Sequence, residues 1–456
     1  MVKTILKSPT LKFSISGLRG VYPEDIAPPA WVEFVRAFHA SLPPGDVAIA
    51  RDARPTGDAL MHIASGVLNL LGRNVHDLGL ISTPTIKAYI AEKKLAGGIM
   101  VSASHNPVHY NAMKFIAQGG FFFSAKENEN FVQALNKKSQ WGSVKTQGKT
   151  FDRQEIALDL HLRSILKNFN LKNVGVKAIV DPVGSSGGEL AALLLDQIGV
   201  TATFINREEQ SDFPRPPEPV ASALSQLSSE VKKSQADIGF AFDPDADRLS
   251  LVDETSLAIG EEYTLPLAIL SGVQLRQSRV VVNLSTSMMV DAAVEIRGAK
   301  LLRSAVGEAN VVQMMQKQKA IFGGEGNGGV IDPRVSSYGR DALCGMIHIL
   351  NLMNSEQSSL SHFTRKLPKL VMRKETRKNI SPQKLKKAVG KLKARYPNLK
   401  YSSIDGHYFG GLIDKADKNN RAFIHIRSSN TEPIVRLIAE GRSAHIVTAL
   451  IETTGL

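Results

Sequence analysis

Three stretches of the chain repeat one plan, in which an apolar run, a helical segment, a glycine and a second apolar run follow one another. The first runs span residues 47–52, 177–181 and 280–283, the helical segments 60–70, 190–198 and 289–296, and the glycines are Gly72, Gly199 and Gly298. A strand, a helix closed by glycine and a second strand are typical of the βαβ unit. β-rich runs that alternate with helices predict predominantly parallel sheets covered on both faces. The repeat therefore predicts three related α/β domains.

The end of the chain follows a different plan. Apolar runs at 401–404, 421–426 and 433–438, closed by a helix through 446–450, predict a smaller α+β domain. A chain of 456 residues is too long for one hydrophobic core. We place the predicted domains at 1–150, 151–255, 256–366 and 367–456, with a first linker at 139–143.

Composition narrows the class of protein. Apolar residues make up 43% and charged residues 22%, as in ordinary soluble proteins. The single cysteine, Cys344, excludes an intrachain disulfide framework and is typical of a reducing compartment. No secretory signal pattern begins the sequence, and no apolar run reaches the roughly 18 residues of a membrane span. We therefore expect a cytoplasmic location and no membrane partner.

The net charge of +13 is confined to one segment. Residues 365–400 hold fourteen Lys/Arg against one acid, Glu375, and the rest of the chain is balanced. Leu385, Val389 and Leu392 lie at helical spacing among these lysines, which predicts a helix with a solvated basic face. Attraction of small anions or RNA is the alternative. We do not expect nucleic acid to be the partner.

The segment Asp243-Pro244-Asp245-Ala246-Asp247-Arg248 carries three carboxylates at alternate positions after an apolar run. Pro244 blocks a helix, and in an extended loop this spacing turns the three side chains to one side. Such oxygens suit Mg²⁺. An EF-hand is the competing interpretation, because Glu254 occupies the twelfth loop position. Arg248 at the sixth position, where the sharp turn needs glycine, argues against it.

Residues 102–107 follow a predicted strand at 96–101, so Ser104 is expected at the carboxyl end of a sheet, where α/β proteins bind ligands. The neighbouring His105 suggests a hydrolase, but the chain has no G-x-S-x-G elbow. Neighbours in sequence also rarely face each other. Taken alone, the segment would be a turn with side-chain hydrogen bonds.

Three further loops carry polar groups. Residues 16–20 and 323–329 are rich in glycine, and Glu325 and Asn327 offer groups that could bind two sugar hydroxyls. Residues 427–433 place Arg427, Ser429, Asn430 and Thr431 after a predicted strand. Cations, hydroxyls and amides together fit a phosphate dianion. Each of these loops alone could also be a simple turn.

The five loops together resemble those of the α-D-phosphohexomutase superfamily, over the whole length and in the same order. They are SGLRG at 16–20, SASHNP at 102–107, DPDADR at 243–248, GGEGNGG at 323–329 and RSSNTEP at 427–433. The resemblance implies four domains around a central cleft.

The resemblance also implies roles for individual residues. Ser104 would carry the transferred phosphate, and Asp243, Asp245 and Asp247 would bind Mg²⁺ together with a phosphoserine oxygen. Lys114 would transfer a proton, with Arg19 and Arg248 as further catalytic residues. Because Mg²⁺ and Arg19 lie near it, we expect the pKa of Lys114 to fall. Glu325 and Asn327 would bind the sugar. Arg427, Ser429, Asn430 and Thr431 would bind the phosphate that does not react.

The implied activity is interconversion of hexose 6-phosphate and hexose 1-phosphate through a phosphoserine and a hexose 1,6-bisphosphate. Asn327 stands where many members have Ser and Gly329 where several have His, a variant closer to bacterial phosphoglucosamine mutases. Glucosamine 6-phosphate is therefore the expected substrate, with mannose or glucose phosphate as alternatives. A catalytically silent sugar-phosphate-binding protein is the alternative of another class, and a metal-dependent phosphatase or nuclease would leave the sugar loop unexplained.

Overall fold

Strands and helices alternate through most of the chain. The computed structural model describes residues 8, 10–14, 17–137, 146–272, 276–414, 416–417, 420–428 and 434–456. The predicted linker at 139–143 lies outside these residues, as do Ser16, Ser429, Asn430 and Thr431. Contacts divide the chain into two units, residues 1–264 with 328–361 and residues 265–327 with 362–456.

The first sheet has seven strands in the order β1-β2-β6-β5-β3-β4-β7. They are β1 (Lys12–Ser14), β2 (Gly17–Val21), β3 (Val47–Arg51), β4 (Val75–Leu80), β5 (Gly97–Val101), β6 (Tyr110–Ala117) and β7 (Thr150–Asp152). Its helices are α1 (Pro28–Ser41), α2 (Gly57–Leu70), α3 (Thr83–Lys93) and α4 (Ala125–Asn136). Strands β5, β3, β4 and β7 are parallel, and β6, β2 and β1 are added antiparallel. Gly17 is required in β2 because a Cβ there would lie 2.0 Å from the Met113 carbonyl oxygen.

The second sheet has four strands in the order β11-β10-β8-β9. Its elements are α5 (Gln154–Leu166), β8 (Lys177–Asp181), α6 (Gly188–Gln197), β9 (Thr201–Phe204), a 3₁₀ turn (Ala221–Ala223), α7 (Ser225–Ser234), β10 (Ile238–Phe242) and β11 (Leu249–Asp253). Strands β10, β8 and β9 are parallel and β11 is antiparallel. Every residue of β10 and β11 is buried, so the loop between them is anchored on both sides.

The third βαβ unit begins after a 3₁₀ turn (Glu261–Tyr263) and helix α8 (Thr264–Ser271). It comprises β12 (Arg279–Asn283), α9 (Met289–Ile296), β13 (Lys300–Ser304), α10 (Glu308–Gln318) and β14 (Phe322–Glu325). Strand β12 pairs in parallel with both β13 and β14. The chain then returns to the first unit with β15 (Gly329–Ile331) and α11 (Ala342–Glu356). The short helix α12 (Leu360–Thr364) follows, where the chain passes back into the second unit. The side chain of Asp341 caps α11 by accepting from the N–H groups of Leu343 and Cys344.

The fourth sheet is antiparallel throughout, in the order β16-β20-β19-β18-β17. Its elements are β16 (Val371–Lys378), α13 (Pro382–Arg395), β17 (Lys400–Ser402), β18 (His407–Leu412), β19 (Arg421–Ser428), β20 (Ile434–Gly441) and α14 (Ala444–Thr454). In α13, Ala388, Val389 and Leu392 are buried while the lysines are exposed. The prediction of a helix with a solvated basic face is confirmed.

The structure confirms the predicted fold class, three α/β domains with mainly parallel strands and a distinct C-terminal domain. The predicted domain boundaries stay a prediction. Across the residues described above, no helix combines the length and the hydropathy needed to span a membrane.

Candidate active site

Three buried carboxylates meet in the loop between β10 and β11. Asp243, Asp245 and Asp247 are fully buried, and one carboxylate oxygen from each lies within 4.8 Å of the others. The loop is shaped by a left-handed residue, Ala246 (φ 49°). Backbone N–H groups of Asp247 and Arg248 each donate to Oδ1 of Asp243 at 3.1 Å. The predicted clustering of the three aspartates is what the structure shows.

These carboxylates fit a divalent cation. Oδ1 of Asp245 and Oδ1 of Asp247 are buried and have no hydrogen-bond partner among the described residues. Burial raises the pKa of Asp243 well above its usual range, and the charges of Asp247 and Asp245 raise it further. Since like charges so close disfavour ionisation, a cation is the natural counter-charge. All-oxygen ligands of this kind suit Mg²⁺.

Ser104 lies against this triad. Its hydroxyl donates to Oδ2 of Asp243 at 2.7 Å. The residue follows β5 and has a left-handed backbone (φ 51°), which costs a non-glycine residue about 1–2 kcal/mol. Ser102 helps to hold this conformation, because its hydroxyl accepts from the N–H of Ser104 at 3.0 Å and donates to Asp52 at 2.6 Å.

His105 approaches Ser104, contrary to the expectation that sequence neighbours do not face each other. Its Nδ1 lies 3.4 Å from the Ser104 hydroxyl, a long contact. Burial lowers the pKa of His105 to about 2, and the nearby charges of Arg248, Arg19 and Arg340 lower it further. The imidazole is therefore neutral, and the shorter hydrogen bond of Ser104 goes to Asp243.

Arg54 holds the loop that carries Ser104 through hydrogen bonds, a role that was not predicted from the sequence. Its guanidinium is 1% exposed and pairs with Asp52 at 3.1 Å. The two terminal nitrogens donate to four backbone carbonyls at 2.5–2.8 Å, those of Ser104, Asn106, Pro107 and Tyr110. One planar fork thus fixes the strained serine and the residues that follow it.

A cavity of about 190 Å³ opens on Ser104. Five cationic side chains line it, Lys12, Arg19, Lys114, Arg248 and Arg340. The predicted residues Ser104, Arg19, Lys114 and Arg248 are therefore brought together. So many cations around one hydroxyl suit a phosphoryl group, which accepts several charge-assisted hydrogen bonds.

Two residues that donate hydrogen bonds to the aspartate triad were not predicted from the sequence. Arg340 donates to Oδ2 of Asp247 at 2.5 Å. Thr83, at the start of α3, donates its hydroxyl to Oδ2 of Asp245. Neither residue belongs to a recognisable motif, so no local signal in the sequence could have identified them.

Lys114 is paired with the carboxylate triad. Its ammonium donates to Asp245 and lies 3.4 Å from the Thr83 hydroxyl. Burial alone would lower the pKa of Lys114, but the carboxylates of Asp245, Asp247 and Asp243 raise it overall. Attraction to the three carboxylates thus outweighs desolvation, and the fall of this pKa beside Mg²⁺ stays a prediction.

Glu325 and Asn327 belong to the second unit. Oε1 of Glu325 accepts from Nδ2 of Asn283 at 2.6 Å and from the N–H of Gly307 at 3.0 Å. Oδ1 of Asn327 is buried without a hydrogen-bond partner among the described residues. Glu325 is 4% exposed, so its orientation is fixed by its neighbours.

Arg427 is the penultimate residue of β19, in the same unit. Its Nε lies 2.9 Å from Oδ2 of Asp405, and both side chains remain partly exposed. Ser429, Asn430 and Thr431, predicted to act with it, lie outside the described residues.

Comparison with known proteins matches four segments of the chain, which together cover most of it, to one family. Four models described as phosphoglucomutase/phosphomannomutase match it, α/β/α domain I at residues 10–141, domain II at 159–257, domain III at 263–371 and the C-terminal domain at 371–454. The chain belongs to the α-D-phosphohexomutase superfamily. This phosphohexomutase is therefore an enzyme of the isomerase class.

Individual relatives agree with this membership. A Methanopyrus kandleri protein named "Probable phosphoglucosamine mutase" is 30% identical over 433 residues, which is 94% of each chain. A phosphoglucomutase/phosphomannomutase family protein from Burkholderia thailandensis has the same fold, with a TM-score of 0.82, 22% identity and coverage of 98% of this phosphohexomutase and 96% of that chain. Aspergillus fumigatus N-acetylphosphoglucosamine mutase, solved in complex with GlcNAc-6P and magnesium, gives a TM-score of 0.61 at 13% identity, covering 100% and 97% of the two chains.

Proposed function

We propose that this enzyme interconverts hexose 6-phosphate and hexose 1-phosphate through phosphorylated Ser104 and a hexose 1,6-bisphosphate. The observation that carries the proposal is the position of the Ser104 hydroxyl, 2.7 Å from Asp243 in a cavity lined by five cations. A hydroxyl between a carboxylate triad and several cations suits reversible transfer of a phosphoryl group.

Each transfer breaks the P–O bond to Ser104 and forms a P–O bond to the free sugar hydroxyl. The cations of Arg19, Arg248 and Arg340 hold the phosphoryl oxygens and offset their charge. The Lys114 ammonium gives a proton to the departing Ser104 oxygen. It regains one from the sugar hydroxyl, so that protons balance. The bisphosphate then reorients, and its other phosphate returns to Ser104.

Asp243, Asp245 and Asp247, together with an oxygen on phosphorylated Ser104, would hold Mg²⁺. When bound, Mg²⁺ would offset charge on the phosphoryl group and favour the serine oxygen as leaving group. The bound magnesium reported for the Aspergillus fumigatus enzyme supports this choice of metal.

We assign glucosamine 6-phosphate as the substrate, with Glu325 and Asn327 binding its sugar hydroxyls. Arg427, with Ser429, Asn430 and Thr431, would bind the phosphate that does not react. The buried, unpartnered Oδ1 of Asn327 and the fixed carboxylate of Glu325 support a sugar-binding role. The name of the Methanopyrus kandleri relative supports glucosamine over glucose or mannose.

A side-by-side assay of glucosamine, glucose and mannose 6-phosphate tests the assignment. We expect the highest kcat/KM for glucosamine 6-phosphate. A clear preference for mannose 6-phosphate would overturn the choice of sugar and leave the mutase activity standing. No turnover of any of the three would favour the silent binding protein.

A further inference from the structure

A closed circuit of hydrogen bonds runs through the second unit and contains residues that the proposed mechanism does not use. It starts at Asp405, in the turn between β17 and β18. Oδ2 of Asp405 accepts from the N–H of Val306 at 2.9 Å. The next residue, Gly307, donates its N–H to Glu325. The turn that contacts Arg427 is thus tied to the loop that holds the sugar-binding carboxylate.

The circuit returns through His425. Nδ2 of Asn283 donates to Glu325, and Oδ1 of Asn283 accepts from the N–H of Ser285 at 2.8 Å. The Ser285 hydroxyl contacts Nδ1 of His425 at 2.9 Å, and Nε2 of His425 contacts the Asp405 carbonyl at 2.6 Å. A carbonyl only accepts, so Nε2 carries the proton, and Nδ1 accepts from Ser285. His425 is fully buried, so this arm lies in the interior.

Arg427 is attached to the circuit by charge. Its Nε lies 2.9 Å from Oδ2 of Asp405, but the N–H does not point at that oxygen, which is already bonded to Val306. The ion pair limits the freedom of a long side chain whose ordering would otherwise cost binding free energy. It engages the Nε side of the guanidinium. Among the described residues no hydrogen bond is formed by the two terminal nitrogens, which suit a second anion.

We propose that Asp405 and His425 are positioning residues that hold Arg427 and Glu325 at a fixed separation. The phosphate and the sugar ring of one substrate are then recognised by a single preorganised unit. This inference rests on the proposed roles of Arg427 and Glu325, and adds the residues that couple them. A preorganised pair of contacts improves substrate binding because less order has to be imposed when the substrate arrives.

The test compares two conservative variants with matched controls in the full-length enzyme. Asp405→Asn keeps the acceptor for Val306 and removes the charge beside Arg427. His425→Gln removes the ring that joins Ser285 to the Asp405 carbonyl. The controls are Asp414→Asn and His445→Gln, since both positions are exposed in the same domain. KM and kcat are measured with whichever of glucosamine, glucose or mannose 6-phosphate the enzyme uses best.

We expect each positioning variant to raise KM about tenfold, as for one lost charge-assisted contact, with kcat changed less than about twofold. The controls should match the unmodified enzyme. In a Glu325→Gln background, Asp405→Asn should raise KM much less, because the coupled partner is already impaired. If Asp405 and His425 had only a structural role, their variants would lower thermal stability. The effects of Asp405→Asn and Glu325→Gln on KM would then be additive.

Two outcomes separate this inference from the proposed function. If Arg427→Ala raises KM while Asp405→Asn and His425→Gln leave it unchanged or lower it, the positioning role is overturned and the proposed function stands. If Arg427→Ala itself leaves KM unchanged, the phosphate-binding role fails, and the inference fails with it.

Discussion

The hydroxyl of Ser104 donates to Oδ2 of Asp243 at 2.7 Å, although the two residues are 139 positions apart in the chain. They come from different sheets, and each follows the end of a strand, β5 for Ser104 and β10 for Asp243. The contact joins the proposed phosphoryl carrier to the proposed metal site. It is therefore the geometry on which the mechanism depends.

Arg54 should be needed for the stability of the loop that carries Ser104. Arg54→Met leaves Asp52 buried without its cation and frees four carbonyls, so we expect a loss of about 3–5 kcal/mol in the free energy of unfolding. Urea denaturation measures the change. Arg51→Met is the control, because its partner Glu209 is half exposed and the loss should stay below about 1 kcal/mol. Equal losses in both variants would refute a special role for Arg54.

Asp245→Asn should weaken metal binding. The change preserves volume and removes one of three negative ligands, so Mg²⁺ affinity should fall about 10-fold or more. Isothermal titration calorimetry with Mg²⁺ measures this without reference to activity. Asp212→Asn, at an exposed position, should bind as the unmodified protein does. Undiminished affinity in Asp245→Asn would remove Asp245 from the metal site.

Glu325→Gln should lower kcat/KM for every hexose phosphate tested. The substitution replaces an ionic acceptor in hydroxyl contacts worth roughly 1.5–3 kcal/mol each. The substitution also replaces the carboxylate that accepts hydrogen bonds from Asn283 and Gly307 with a neutral amide. Steady-state kinetics with three sugars is the measurement. A loss confined to a single sugar would contradict a general role in hydroxyl binding.

His39 should make the fold sensitive to mild acid. Burial, aided by the charge of Arg73, lowers its pKa from 6.5 to about 4. Between these values the unfolded chain binds a proton that the folded chain does not, so stability falls as pH drops from about 6.5 toward 4. The urea midpoint at pH 7 and pH 5 should therefore differ less in His39→Gln than in the unmodified protein. The exposed His62→Gln variant should show the full difference.

The sequence was sufficient for the fold because the periodic apolar pattern dictates βαβ units. The segments 47–52, 177–181 and 280–283 are found as β3, β8 and β12, each paired in parallel with the strand that follows its helix. The order of apolar and polar residues along one segment determines which of its faces is buried. Such a strand or helix can therefore be predicted from its own segment of the sequence.

The site could be predicted only where a motif is contiguous. The three aspartates lie within five residues and were found. Arg54, Thr83 and Arg340 act on residues brought close by folding, and nothing in their own neighbourhoods marks them. The close approach of Asp245 to Lys114, which raises the pKa of that lysine, likewise depends on how the two segments pack together.

The central claim is that Ser104 carries the phosphoryl group that moves between the two ends of a hexose. Phosphorus NMR of the enzyme with Mg²⁺, glucosamine 6-phosphate and a trace of hexose 1,6-bisphosphate follows this exchange directly. We predict a growing glucosamine 1-phosphate signal with the unmodified enzyme and none with Ser104→Ala, whose urea midpoint should be unchanged. Equal growth of that signal with Ser104→Ala, or release of inorganic phosphate in its place, would contradict the account.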